Sequence, residues 1–196
     1  MLKHALQRGF SIVELAVTIT IVAILMMLGM PSFSEYINNA RLGAVAQSFY
    51  AGLSLARSEA IRRNVPVEFV MTNTAIAPGI ENALAPDVAG KNWVIRSQTV
   101  TAGPYDSPAI DMKAAQEGGG ATPRVTILAT AAIVRFNGIG AATAGVGPIA
   151  IENPAAGACV LAGGPVRCWS IVVAPGGQVR LCDPAAPVGD TRSCTP

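Results

Sequence analysis

Of the 196 residues only His4 is a histidine, cysteine is absent before Cys159, and charged side chains make up 13% of the chain. Past residue 4 there is no histidine base, no imidazole metal ligand and no Ser–His or Cys–His pair. The acids Asp87, Asp106, Asp111, Asp183 and Asp190 stand singly in expected loops and read as solvated surface. No enzyme activity, metal or cofactor is expected from such a set. Net charge is +2, from 14 basic and 12 acidic residues, and setting Lys3 and Arg8 aside leaves 12 against 12. That balance gives no general attraction to nucleic acid.

What the chain does have is an apolar run. Residues 15–34 hold no charge, and these twenty residues at about 1.5 Å each span the roughly 30 Å of a bilayer's hydrocarbon core. Lys3 and Arg8 precede the run with no acid among residues 1–9, which places the amino terminus in the cytoplasm and the bulk of the chain outside. A secretory signal peptide or a plain anchor is the ordinary alternative. The run exceeds the roughly 7–15 apolar residues of a signal peptide and passes through Glu35 and Tyr36 into a helical pattern. A plain anchor has no use for Glu14, since a carboxylate near the membrane costs on the order of a few kcal/mol without a partner.

Gly29 and Pro31 predict a kink, but the helix is expected to continue. Val45, Ala46, Phe49, Gly52, Leu53, Ala56 and Ala60 recur at helical spacing and form a core-facing stripe, opposite Arg41, Gln47, Ser54 and Arg57. Glu59 and Arg63 make a supportive pair one turn apart, and Asn64 with Pro66 stops the helix.

Beyond it the pattern changes period. Segments 67–72, 93–100, 125–128, 133–136, 148–151, 170–173 and 178–181 are short, β-branched and bounded by turn residues, which predicts antiparallel sheets. Segments 75–91 and 101–123 read as long loops. The run Gly118-Gly119-Gly120 is no phosphate cradle, because no Lys-Ser or Lys-Thr and no helix follows it. Cys159, Cys168, Cys182 and Cys194 are separated by 8, 13 and 11 residues, wrong for a zinc site and right for two disulfides outside the membrane. Two pairings compete. A turn centred on Pro175 and Gly176 brings Cys168 close to opposite Cys182, which suits Cys168–Cys182 with Cys159–Cys194. The sequential pattern, Cys159–Cys168 and Cys182–Cys194, is preferred, because directly opposed strand cysteines fit a disulfide poorly and Gly163, Gly164 and Pro165 fold the first loop back.

A basic leader ending in Gly9, then Phe10, then Glu14 and an apolar run closing near Pro31 resembles the class III signal of type IV pilins and type II secretion pseudopilins. The resemblance implies cleavage between Gly9 and Phe10 by a prepilin peptidase and methylation of the new amino group of Phe10. It also implies that Glu14 pairs with the amino terminus of a neighbouring subunit in a filament. The words LARSEAIRRNVPVEF at 55–69 resemble the FimT and GspH branch of these proteins, which implies a β-sandwich-like periplasmic domain.

The expected fold class is therefore α+β: leader 1–9, a transmembrane part of the helix 10–34, its amphipathic continuation 35–64, and a β domain 65–196 closed by two C-terminal disulfides. The implied place is the inner membrane, single-pass, with the prepilin peptidase, the membrane and other pilins or pseudopilins as partners. The implied role is that of a minor subunit that initiates or tips a type IV pilus-like filament, or the corresponding pseudopilin of type II secretion. Some FimT-like proteins are linked to DNA uptake through a Gly-Arg-x-Arg motif; the matching residues here are Gly177-Gln178-Val179-Arg180, and the first arginine is missing. Arg167, Arg180 and Arg192 are the remaining candidates for a phosphate contact, balanced by Glu152, Asp183 and Asp190, so DNA is not expected as a partner.

Overall fold

A computed structural model describes residues 11–99, 104–114 and 125–194, with 28–32 described by backbone alone. Two compact units are distinguished, Met1–Ile37 and Asn38–Pro196. One helix, α1 (Ile12–Arg63), contributes to both. Asn64 follows it with φ 54°, the left-handed stop that asparagine tolerates, and Pro66 keeps the helix from resuming. In the last turn Glu59 accepts from Arg62 at 2.6 Å and Arg63 at 2.7 Å. These hydrogen bonds, Arg62's first, hold the Glu59 carboxyl at about 2.

In the first unit the described apolar side chains of α1 are exposed, Ile12 through Met27. Among the described residues no helix is long and apolar enough to cross a membrane. The kink expected at Gly29 and Pro31 concerns side chains outside the described residues, as does the glycine run at 118–120.

The second unit holds nine strands among the described residues: β1 (Val67–Thr72), β2 (Asn92–Ser97), β3 (Asp111–Lys113), β4 (Thr126–Ala129), β5 (Ile133–Phe136), β6 (Ala142–Ala144), β7 (Gly147–Glu152), β8 (Trp169–Val173) and β9 (Val179–Cys182). One sheet runs β3-β2-β1-β5-β6 and the other β4-β7-β8-β9. Every pairing with a resolved register is antiparallel, as short β-branched runs between Gly and Pro turns require.

Both sheets and α1 share one apolar core. Leu42, Ala46, Phe49, Leu53, Ala56 and Ala60 recur at alternating steps of four and three and are buried. They meet Val67, Phe69 and Met71 of β1, Trp93 of β2, Ile149 and Ile151 of β7 and Ile171 of β8. Phe49 packs edge-on against Phe69 at 5.8 Å, and Phe69 stacks on Trp93 at 5.5 Å. Gly52 leaves room for those rings, since a Cβ there would stand 2.8 Å from the Phe69 ring.

β1 is buried along its whole length. Its alternate residues, Glu68, Val70 and Thr72, face away from that core and are covered by segments that read as open loops in sequence. Thr72 Oγ1 donates to the Ala85 carbonyl at 2.7 Å, and the Asp87 amide donates to the Met71 carbonyl at 2.9 Å. Asp87 and Asp106 are consequently not free surface acids. Asp87 accepts from Asn73 Nδ2 at 2.6 Å and the Ala89 amide at 2.8 Å. Asp106 accepts from Ser97 and Thr99 hydroxyls, each at 2.7 Å. Asp111 is exposed, as expected.

Candidate functional site

Chemistry-bearing residues collect at three places. The first is the start of α1. Ser11 Oγ accepts from the Val13 amide at 3.3 Å and its carbonyl accepts from the Leu15 amide at 3.1 Å, which caps the helix locally. Glu14 lies in the first turn, where the helix dipole favours a negative charge. It is exposed among Ile12, Val13 and Leu15, whose exposures are 87%, 70% and 56%. Thr18 and Thr20 donate to the carbonyls of Leu15 and Ala16 at 2.9 and 2.7 Å, so the run satisfies its hydroxyls within the helix. The surface left is apolar around one carboxylate. Gly9 and Phe10 lie outside the described residues.

The second is the C-terminal end of the domain. Cys159 is bonded to Cys168, with Cα atoms 5.5 Å apart, and Cys182 to Cys194, with Cα atoms 5.0 Å apart. The β8–β9 hairpin register explains the sequential pattern. Its turn has three residues between Ala174 and Gln178, whose amide and carbonyl bond at 2.9 Å. That shifts the expected register by one and sets Ser170 opposite Cys182, with Cys168 two residues away from that position.

Asp183 organises the second loop and is buried, contrary to its reading as solvated. Its carboxylate accepts from Arg167 at 3.0 Å and from the Ala185 amide at 2.9 Å, and its own amide donates to the Arg192 carbonyl at 2.7 Å. Arg180 donates to the Ser193 carbonyl. Arg192 pairs with Asp190 at 2.8 Å and holds that carboxyl at about 2. The fold thus gathers Arg167, Arg180 and Arg192 around one loop, yet each is engaged by an acid or carbonyl of the same loop. Arg167 and Arg192 are neutralised by carboxylates of that loop, which leaves little net positive charge there for a phosphate. Among the described residues no group of His, Cys, Asp and Glu could hold a metal ion.

The third place is one that sequence reasoning missed. Glu68 and Arg96 are buried partners across β1 and β2, and Arg135 of β5 reaches the other oxygen of Glu68. Arg96 also donates to the Glu81 carbonyl at 2.6 Å and lies 3.5 Å over the Tyr105 ring. Burial alone would raise the Glu68 pKa; hydrogen bonds from Arg135, Tyr105 and Arg96 outweigh it and hold the carboxyl below its ordinary range. Burial, then the bond to Glu68, push the Tyr105 phenol up. The available signal was an acid and a base in adjacent strands, beside loops long enough to cover them. The group is a structural clasp, since its donors and acceptors are spent on one another.

With the helix stripe, the two sheets and the turn after β8 in view, the chain can be compared with known proteins. A family described as type II transport protein GspH matches residues 45–177. The chain belongs to the GspH family. The matched span takes in the helix stripe and eight of the strands; it stops before Arg180 and starts after Glu14. Among solved structures, this GspH-family chain is similar to the type IV minor pilin FimU of Pseudomonas aeruginosa strain PAO1, at 17% identity, covering 77% of this chain and 98% of that one with a TM-score of 0.47. It is also similar to the minor pseudopilin EpsH from the type 2 secretion system of Vibrio cholerae, at 14% identity, covering 72% and 95% of the two chains with a TM-score of 0.42. No curated protein matches it.

Proposed function

We propose that the chain is a minor pilin or pseudopilin, a structural subunit held in the inner membrane through residues 10–34 with its amino terminus in the cytoplasm. A prepilin peptidase removes residues 1–9 between Gly9 and Phe10 and methylates Phe10. The subunit then leaves the bilayer through α1 and joins a type IV pilus-like filament, its two sheets forming a sandwich-like body outside. The observation that carries this reading is Glu14, the one acid among residues 11–34, in the first turn of an exposed apolar helix. A carboxylate in that setting needs a fixed positive charge in the same low-dielectric layer. The amino group of Phe10 on a neighbouring subunit supplies one.

Of the two filament systems we favour the pilus, with a FimT-like role in initiation or at the tip, because of the run at 56–61 and the disulfide-closed tail. The family description favours the second reading, a type II secretion pseudopilin. Contact with DNA has least support, because the three candidate arginines are engaged internally. The test is the mass of the subunit recovered from membranes. Wild type is expected to begin at methylated Phe10, and Gly9→Val to keep its leader and stay out of filaments. Filaments containing uncleaved Gly9→Val would overturn the reading.

A further inference from the structure

Between the flank of α1 and the start of β9 lies a cavity of about 210 Å³ bordered by Tyr50, Ser54, Arg57, Ser58, Ile61 and Val179. Two turns shape its cationic wall. Gly140 and Gly177, with φ 80° and 76°, pack so tightly that a Cβ on either would stand 3.3 or 3.2 Å from Arg57 Nε. Arg57 Nε donates to the Gly140 carbonyl at 3.1 Å, which fixes the guanidinium while its terminal nitrogens keep their donors. No carboxylate pairs with Arg57 among the described residues. Glu59, two residues on, is taken by Arg62 and Arg63. From Leu42 to Ser58 the helix carries Arg57 as its one charge and no acid.

From this we propose that the groove seats an acidic side chain of a neighbouring pilin-type subunit, an inference that rests on the filament role above. An anchored guanidinium in an acid-free hollow receives a carboxylate bidentately. Ser54 and Tyr50 add hydroxyls, and Ile61 and Val179 suit an apolar neighbour of that acid. The cavity is smaller than the roughly 300–1,000 Å³ of small-ligand pockets, which fits a single inserted side chain. One cation is also too few for a nucleic-acid backbone, whose binding sums several phosphate contacts. The groove lies on α1, the element through which subunits meet.

The test uses the full chain in filament-producing cells, with the photo-crosslinker p-benzoylphenylalanine at Tyr50 and, separately, at Val22 as a report of incorporation. The Tyr50 probe is expected to label a pilin-type subunit in a peptide containing Asp or Glu. Ser54→Glu, which offers Arg57 a carboxylate one turn away, is expected to cut that labelling on the order of tenfold, and Ser54→Gln, of the same size but uncharged, to cut it several-fold less. Changing the labelled acid to Arg together with Arg57→Glu is expected to restore it. Labelling that ignores Ser54→Glu, falls on a peptide without an acid, or goes to nucleic acid overturns the seat. Labelling from Val22 without labelling from Tyr50 overturns the seat alone; loss of both overturns the filament role with it.

Discussion

Glu68 and Arg96 stand opposite one another in the β1–β2 register, with Arg96 Nε 2.9 Å and Nη2 2.8 Å from Glu68 Oε2 and both side chains buried. Removing one partner strands the other charge away from water. Glu68→Ala, which leaves Arg96 buried without a carboxylate, is expected to destabilise the fold by about 3–5 kcal/mol, and Arg96→Ala by less, because Arg135 still pairs with Glu68. The double substitution should cost less than the sum of the two. Denaturant unfolding of the four proteins checks this.

The same pair sets an acid limit. Glu68 has a folded pKa below its ordinary 4.5, so its contribution is present above that value and is lost as pH falls from there through the folded pKa. Thermal midpoints of the wild type should fall below about pH 4.5, and Glu68→Gln, less stable at neutral pH, should show a shallower decline.

Asn39 ties the first disulfide loop to the helix. Its Nδ2 donates to the Pro165 carbonyl at 3.3 Å, and its Oδ1 accepts from the Arg167 amide at 2.8 Å. Replacing Cys159 and Cys168 by serine frees that loop and is expected to cost about 2–3 kcal/mol. Hydrogen exchange should speed up in α1 around Asn39, with little change around Ala56.

Gly177 admits no side chain. Its φ is 76°, and a Cβ would stand 1.7 Å from the Gly140 carbonyl oxygen. Gly177→Ala is expected to cost at least about 2 kcal/mol and to separate the turns after β5 and β8, whereas Gly176→Ala, open to solvent at its Cβ, should be mild. Unfolding midpoints of the two variants provide the comparison.

The sequence periodicity marks β1 and β5 at their observed bounds and the end of α1 at Asn64, because β-branched alternation and a left-handed stop are local properties. β3 and β6 escaped it. Asp111–Lys113 lies in a Pro- and Gly-rich segment and Ala142–Ala144 has one β-branched residue; both are strands because β2 and β5 offer open edges. The clasp was hidden for a related reason. Glu68 and Arg96 look like a solvated strand face until the register aligns them and the segments before β2 and β3 cover that face, and neither fact is local. Asp183 is the same case at the tail, buried by a disulfide loop whose register one turn residue decides.

The most direct measurement is the share of a Glu14→Ala subunit found in sheared filaments relative to membranes. The account predicts unchanged membrane insertion with incorporation lowered at least about tenfold, as expected when a buried charge pair loses one member. Glu14→Ala incorporated at the wild-type level would contradict it.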